Sequence, residues 1–380
     1  MKRICTIVDD INFIGGAHVA TANLLSALKS DGVSVDVLTD VEPDDEARRR
    51  FAGIDIRRWH WPAGPVARLI LRAYRVLRWS CIYPDWMIDR GGGIRKLLSD
   101  YDCVCVMSEA SPLRGLVSRL PPRVRKVQMI HCDYLVWRRS CRFARWATRR
   151  DEVIYAAFDR IALVGRRNAA AFAEFFPGLR ERVRDFRNVL RVQERRARKR
   201  DEGRIRIVTV ARCDEVQKGS SRSVRIAERL IRAGIDLEWT FIGPGYERLA
   251  ARVAADGFAD RIHFPGVKSD VTSLFSEFDV MALFSHYEGL PMVVCDALMQ
   301  GLPVAATDVG GMGELVADGR NGWLFRDDED KIVSAFERVL RSREFRKMDF
   351  EFKYDQAAVL QVHRELLGLT ESNSALKNDI

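Results

Sequence analysis

A chain of 380 residues, 47% hydrophobic and 30% charged, is sized for two ordinary globular domains and is not the composition of a disordered or fibrous protein. No apolar run reaches the roughly 18 residues that a membrane-spanning helix requires. The net charge of +9 makes nucleic acid a possible partner on charge alone, but no nucleic-acid motif supports it and none is expected. The charge is uneven: residues 1–200 carry a net +16 and residues 201–380 a net −7. A basic half joined to an acidic half suggests one face made for an anionic surface.

The first half alternates apolar strands with helical patterns. The stretch from Met1 to Val8 has a basic start, but Asp9 and Asp10 end its apolar run, which reads as a first strand and not a signal peptide. Ile4–Val8, Val33–Leu38, Cys103–Met107, Val127–Ile130 and Arg160–Val164 are expected strands, with an amphipathic helix over Thr21–Lys29. Strands separated by helices give an α/β class with a doubly wound sheet. Near 191–203 the chain becomes highly charged and loses periodicity, the expected linker. The second half repeats the plan: strands at Arg206–Val210, Leu237–Ile242, Ile262–Phe264, Val280–Phe284 and Val304–Thr307, helices at Ser220–Ala233 and Tyr246–Asp256, and a helical pattern from Asp330 to about Leu367. The eight cysteines are scattered without zinc spacing and read as buried thiols.

The chemistry gathers just after strands, where open α/β sheets bind ligands. Gly15 and Gly16 follow the first strand, and glycine lets backbone approach a phosphate or sugar closely; a plain strand-to-helix turn is the alternative. Arg212 and Lys218 flank the loop after the first strand of the second half, a pair suited to a phosphate, with a solvated surface pair as the alternative. The run from Phe284 to Leu298 goes strand, Gly289–Pro291 turn, helix. It places Glu288 at the turn and Asp296 two helical turns along, so the carboxylates bracket one elongated ligand with a polyol at its far end. The bland alternative for Asp296 is a helix-surface acid, and for His131, which ends a strand near Asp133, a satisfied strand-end histidine. The D-x-D pattern from Asp328 to Asp330 reads as a solvated acidic loop, and no metal or cofactor is expected.

The order of these landmarks resembles the retaining GT-B glycosyltransferases of family four. The matching residues are Gly15-Gly16, His131 with Asp133, Arg187-Asn188-Val189, Arg212 with Lys218-Gly219, Gly243 with Gly245, Gly266, the Glu288 to Asp296 segment, Gly310-Gly311 with Glu314, and Asn321-Gly322. Asp296 stands where that family has a second Glu, His18 stands where it often has an acid, and Asn188-Val189 is a worn interdomain motif.

The resemblance implies two Rossmann-like domains facing across a cleft, with a last helix crossing back to the first domain. Residues 1–190 would form an acceptor-binding domain and 204–348 a nucleotide-sugar domain, with a crossover helix and polar tail at 349–380. It implies donor contacts from Gly15, Gly16, Arg212, Lys218, Gly243, Glu288, Gly289, Leu290 and Asp296, with Glu288 on the sugar and Asp296 on the ribose. His131, Glu288, Arg212 and Lys218 would serve transfer, with Asp133, Asn188 and Glu314 as weaker candidates.

The implied activity is retaining transfer of a hexose-type sugar from a UDP- or GDP-sugar to a glycan or lipid-linked acceptor in the cytoplasm. A sugar-nucleotide epimerase and a non-catalytic nucleotide-sugar-binding partner are the alternatives. Two basic stretches bear on the acceptor. Arg68, Arg72, Arg75 and Trp79, and then Arg138, Arg142, Arg145, Trp146 and Arg149, suit an anionic inner-membrane face, with Trp59 nearby in sequence. The alternative is a surface helix whose apolar side packs on its own sheet.

Overall fold

A computed structural model describes residues 1–13, 15–60, 69, 89, 92–140, 144–191, 194–197 and 203–370, with the side chains of 140 and 144–147 excepted. The chain divides into two units, Met1–Val189 with Asp355–Ile380, and Leu190–Tyr354.

The first unit is built on seven strands: β1 (Arg3–Ile7), β2 (Ser34–Thr39), β3 (Asp55–Arg58), β4 (Cys103–Val106), β5 (Arg125–Ile130), β6 (Arg160–Val164) and β7 (Val183–Phe186). They lie in the order β3-β2-β1-β4-β5-β6-β7, all parallel. The second has six: β8 (Ile205–Val210), β9 (Leu237–Ile242), β10 (Ile262–Gly266), β11 (Val280–Leu283), β12 (Val304–Thr307) and β13 (Gly322–Phe325), in the order β10-β9-β8-β11-β12-β13 and also parallel. Central strands such as Cys103–Val106 and Val280–Leu283 are buried throughout, because helices cover both faces of a parallel sheet. In each sheet the winding reverses once, between β1 and β4 and between β8 and β11. Loops leaving those strands diverge there and open a crevice beyond their carboxyl ends.

The ten expected strands are present. Three more, β3, β7 and β13, are edge strands of four residues each, and β3 and β7 carry charged side chains that hide the alternation. The long C-terminal helix is in fact two helices, Glu329–Ser342 and Gln356–Leu366. The first stops where Arg343 takes a left-handed backbone (φ 55°), and the second starts at Asp355, whose side chain caps Ala358 N. This last helix belongs to the first unit, where Arg125 donates to the Leu366 and Glu365 carbonyls at 2.7 and 3.2 Å.

The charged stretch after Leu190 is not a free tether at 194–196. Gln300 accepts from Arg196 N at 3.0 Å and donates to the Glu194 carbonyl, while Arg195 pairs with Asp349 at 3.0 Å. Asp328, Glu329 and Asp330 form no loop either. Asp328 caps Lys331 N, and the two acids after it pair with Arg225 and Arg229 of the neighbouring helix Ser220–Arg232.

Arg68, Arg72, Arg75, Trp79 and Arg142 lie outside the described residues, as do the side chains of Arg145 and Trp146. Arg149 is exposed, whereas Trp59 is a core residue at 3% exposure. Arg138, expected on a basic surface stripe, is buried at 2%. Its guanidinium pairs with Asp151, which also meets Arg114 at 3.1 Å and accepts from the Tyr134 hydroxyl at 2.7 Å. Among the described residues no helix is long and apolar enough to cross a membrane.

Candidate active site

The second unit brings its predicted residues together at the reversal between β8 and β11. The loop Ala211–Gly219 is organised by Asp214. One carboxylate oxygen accepts from Gln217 N at 2.8 Å, and the other accepts from Arg212 Nε and Nη2 at 3.2 and 2.9 Å. Burial alone would raise the Asp214 pKa, but the Gln217 amide and the guanidinium hold it below the ordinary value. Arg212 also donates to Gln217 Oε1 at 2.8 Å, and His286 N donates to the Gln217 carbonyl at 2.8 Å, joining this loop to the one after β11. Gly219 then takes φ 58° and the helix Ser220–Arg232 begins without a side-chain cap. Its first amides are therefore oriented at the loop as hydrogen-bond donors.

In the facing loop, Glu288 is 3% exposed and receives two donors on one oxygen. Lys218 Nζ and Ser285 Oγ each lie 2.6 Å from Glu288 Oε1. Ser285 is fixed in turn by Thr307 Oγ1, which donates to its carbonyl at 2.5 Å. The turn after β12 braces Glu288 from behind. Gly310 has φ 53°, and a Cβ there would stand 1.8 Å from the Glu288 carbonyl oxygen, so no other residue fits. Gly311 N donates to the Gly289 carbonyl at 2.8 Å. Gly243 has a similar packing reason: a Cβ would lie 2.0 Å from the Ala211 carbonyl oxygen.

Leu290 is buried, and the helix Met292–Met299 follows without a side-chain cap. Asp296, its fifth residue, is half-buried and forms no side-chain hydrogen bond or ion pair with the described residues. Burial pushes its pKa up to about 6. Glu314 lies in the short turn Met312–Glu314 and starts no longer helix; its Oε1 is 3.6 Å from where a Cβ on Gly311 would stand.

The first unit holds the remaining candidates at the carboxyl ends of its strands. Gly15 precedes the helix Gly16–Ser30, which again lacks a capping side chain, and the Phe13 ring stands against Gly15. His18 lies near the Asp9 carbonyl, 3.4 Å from Nε2, and burial lowers its pKa. His131 follows β5. Burial pushes its pKa down to about 3, His363 and His18 push the same way, and the nearby Asn188 side chain opposes them. Its imidazole is therefore neutral at physiological pH. Asp133 has a local duty, capping the helix Tyr134–Ser140 through Val136 N at 3.1 Å.

Sequence reasoning missed two acids here. Asp9, which accepts from Ser111 Oγ at 3.2 Å, is raised to about 7 by burial and the nearby Asp40. Glu109 is raised by burial. Their position directly beyond β1 and β4, the reversal point of this sheet, was the available signal.

With both sheets and both sets of strand-end residues in place, the chain can be set beside known proteins. Residues 14–188 match the family model "Glycosyltransferase Family 4" and residues 204–342 match "Glycosyl transferases group 1". The chain is 34% identical over 106 residues to the Vi polysaccharide biosynthesis protein VipC/TviE of Salmonella typhi, a match covering 27% of this chain and 18% of that one. It is 31% identical over 138 residues to the alpha-D-kanosaminyltransferase of Streptomyces kanamyceticus, covering 34% and 35%. Both matches span well under two thirds of the relative's own length.

Among solved structures, Anabaena Alr3699/HepE in complex with UDP and glucose superposes with a TM-score of 0.74 at 14% identity, covering 97% of this chain and 100% of that one. WaaG, a glycosyltransferase involved in lipopolysaccharide biosynthesis, superposes with a TM-score of 0.68 at 14% identity, covering 96% and 99%. At such identities the superpositions speak to the fold, which they share. The chain belongs to the GT-B glycosyltransferases of family four, the group 1 transferases.

Proposed function

We propose that this glycosyltransferase moves a hexose-type sugar from a UDP- or GDP-sugar, with retention of anomeric configuration, to a glycan or lipid-linked acceptor in surface polysaccharide or glycolipid synthesis. The observation that carries the reading is the convergence of Lys218 and Ser285 on Glu288 Oε1. It fixes a carboxylate whose Oε2 is left for a donor-sugar hydroxyl, and it sets an ammonium beside it for the departing diphosphate. Arg212, held by Asp214 and Gln217, adds a second fixed cation. Charge already in place at the leaving group needs no reorganisation as the glycosidic bond breaks, and no metal is invoked. Asp296 accepts from the ribose hydroxyls. The neutral His131 imidazole, offering one N–H and one lone pair, belongs beside the reacting sugar.

The names of the relatives support the biosynthetic context: Vi polysaccharide synthesis for one and lipopolysaccharide synthesis for another. The basic stretches around 68–79 and 138–150 support an anionic membrane surface near the acceptor, with Arg138 removed from that face by its burial.

Isothermal titration with UDP and GDP tests the donor half of this reading. One nucleotide should bind in excess EDTA, and Lys218→Ala should weaken it by about tenfold or more, as removal of a charge-assisted contact does. Equal binding by the variant would remove Lys218 from the site.

The Asp296 carboxyl supplies a pH test. Its folded pKa of about 6 exceeds the ordinary 3.8. Donor kcat/KM should therefore fall as pH drops through about 6, where the carboxylate that accepts from ribose is protonated, and Asp296→Asn should lack this limb. The same shift means that the folded chain binds more protons than the unfolded chain between those two values, so this group makes the fold less stable as pH rises across the window. A profile for Asp296→Asn with the wild-type acid limb would assign that limb elsewhere.

A further inference from the structure

His363 carries no sequence motif, yet the fold places it within one side chain of His131. It lies on the helix Gln356–Leu366 and is 2% exposed. Its Nε2 is 2.9 Å from the Arg187 carbonyl oxygen, to which the neutral ring donates. On its other side the imidazole meets the Phe186 ring edge-to-face, with centroids 5.3 Å apart. Phe186 in turn meets His131 edge-to-face at 5.1 Å, so one phenyl ring lies between two imidazoles. The Val189 carbonyl accepts from Asn23 Nδ2 at 3.0 Å.

The segment Phe186–Val189 is thus gripped from three sides within the first unit. It is also the segment through which the chain leaves that unit, while the helix bearing His363 begins one residue after the chain returns. Arg125 and the Arg364–Asp31 pair dock that helix onto the rest of the unit.

We propose that His363 is a positioning residue for transfer: by holding the Arg187 carbonyl and the Phe186 ring, it sets the place of the His131 imidazole. This rests on the reading that His131 serves the reacting sugar. Burial keeps both rings neutral, His363 with a pKa of about 4 and His131 of about 3, so the contact persists across the working pH range. Losing the N–H while keeping an aromatic ring would release the Arg187 carbonyl and let Phe186 and His131 shift together.

The test uses the full chain with 13C-labelled histidine, in which only six imidazoles contribute signals. His131→Gln identifies the His131 ring resonance. His363→Phe should move that resonance and lower kcat by about tenfold, the scale expected of a small misplacement, with KM for donor little changed. His363→Gln, whose amide can donate to the same carbonyl, should restore both. An unmoved His131 resonance in a folded His363→Phe protein would overturn the proposal, as would equal losses in the Phe and Gln variants that track only their thermal stability. Full turnover by His131→Gln would instead overturn the reading of His131 itself, with the physical link still decided by the resonance.

Discussion

Glu288→Gln is expected to lower donor turnover by roughly 10²–10³-fold, the usual loss when one preorganised electrostatic group is removed from a transfer site. The side chain keeps its shape, so the effect isolates the charge. Lys218 Nζ and Ser285 Oγ both converge on Glu288 Oε1 at 2.6 Å. With a neutral amide there, the amide oxygen can still accept from Lys218 and Ser285, but the ammonium loses its anchoring anion and an NH2 donor replaces the Oε2 acceptor offered to the sugar. The turn itself should survive, because the Gly310 and Gly311 turn supports it through backbone. Steady-state kinetics on the identified donor, beside a thermal melt, separates lost charge from lost fold. A variant within threefold of wild type would show that the Glu288 charge has no part in transfer.

Asp151→Ala is expected to destabilise the first unit by about 3–5 kcal/mol, the cost of leaving buried charge uncompensated. Arg114 and Arg138 are each almost fully buried and both pair with this carboxylate, with the Tyr134 and Tyr155 hydroxyls joined to them. Glu109 is the other acid whose charge couples to both guanidiniums, but burial raises its pKa and makes it a poor substitute. Replacing all three ionic partners with apolar residues of similar volume should recover much of the loss, which loss of packing alone would not allow. Hydrogen exchange of the helix Ala144–Tyr155 against the sheet of the second unit reads the effect locally and avoids treating two units as one transition. Unchanged protection there in Asp151→Ala would contradict the account.

The second unit was more legible in the sequence than the first, for a physical reason. Its site is made by residues near one another along short loops, Arg212 to Gly219 and Phe284 to Asp296, so spacing alone brings the pieces to one place. What spacing did not reveal was the direct Lys218–Glu288 contact across 70 residues, which depends on β8 lying beside β11. In the first unit, the environment of His131 is assembled from residues near 18, 131, 188 and 363. No local pattern announces His363, whose neighbourhood exists only because the last helix returns to the first sheet. Edge strands β3, β7 and β13 escaped for want of a long apolar run, and Arg138 was misplaced because a helical stripe of arginines cannot show which one finds a buried partner. Asp133 shows the reverse case, a conspicuous acid near a histidine that caps its own helix.

The most direct measurement of the central claim is release of nucleoside diphosphate from a panel of uridine and guanosine diphosphate sugars, with membrane lipid extract present or absent. Wild type runs beside Glu288→Gln and Lys218→Ala. The account predicts release from one donor, increased by extract and lost in both variants. Binding of a nucleotide with no release across the panel would contradict it and identify a nucleotide-sugar-binding protein that does no transfer.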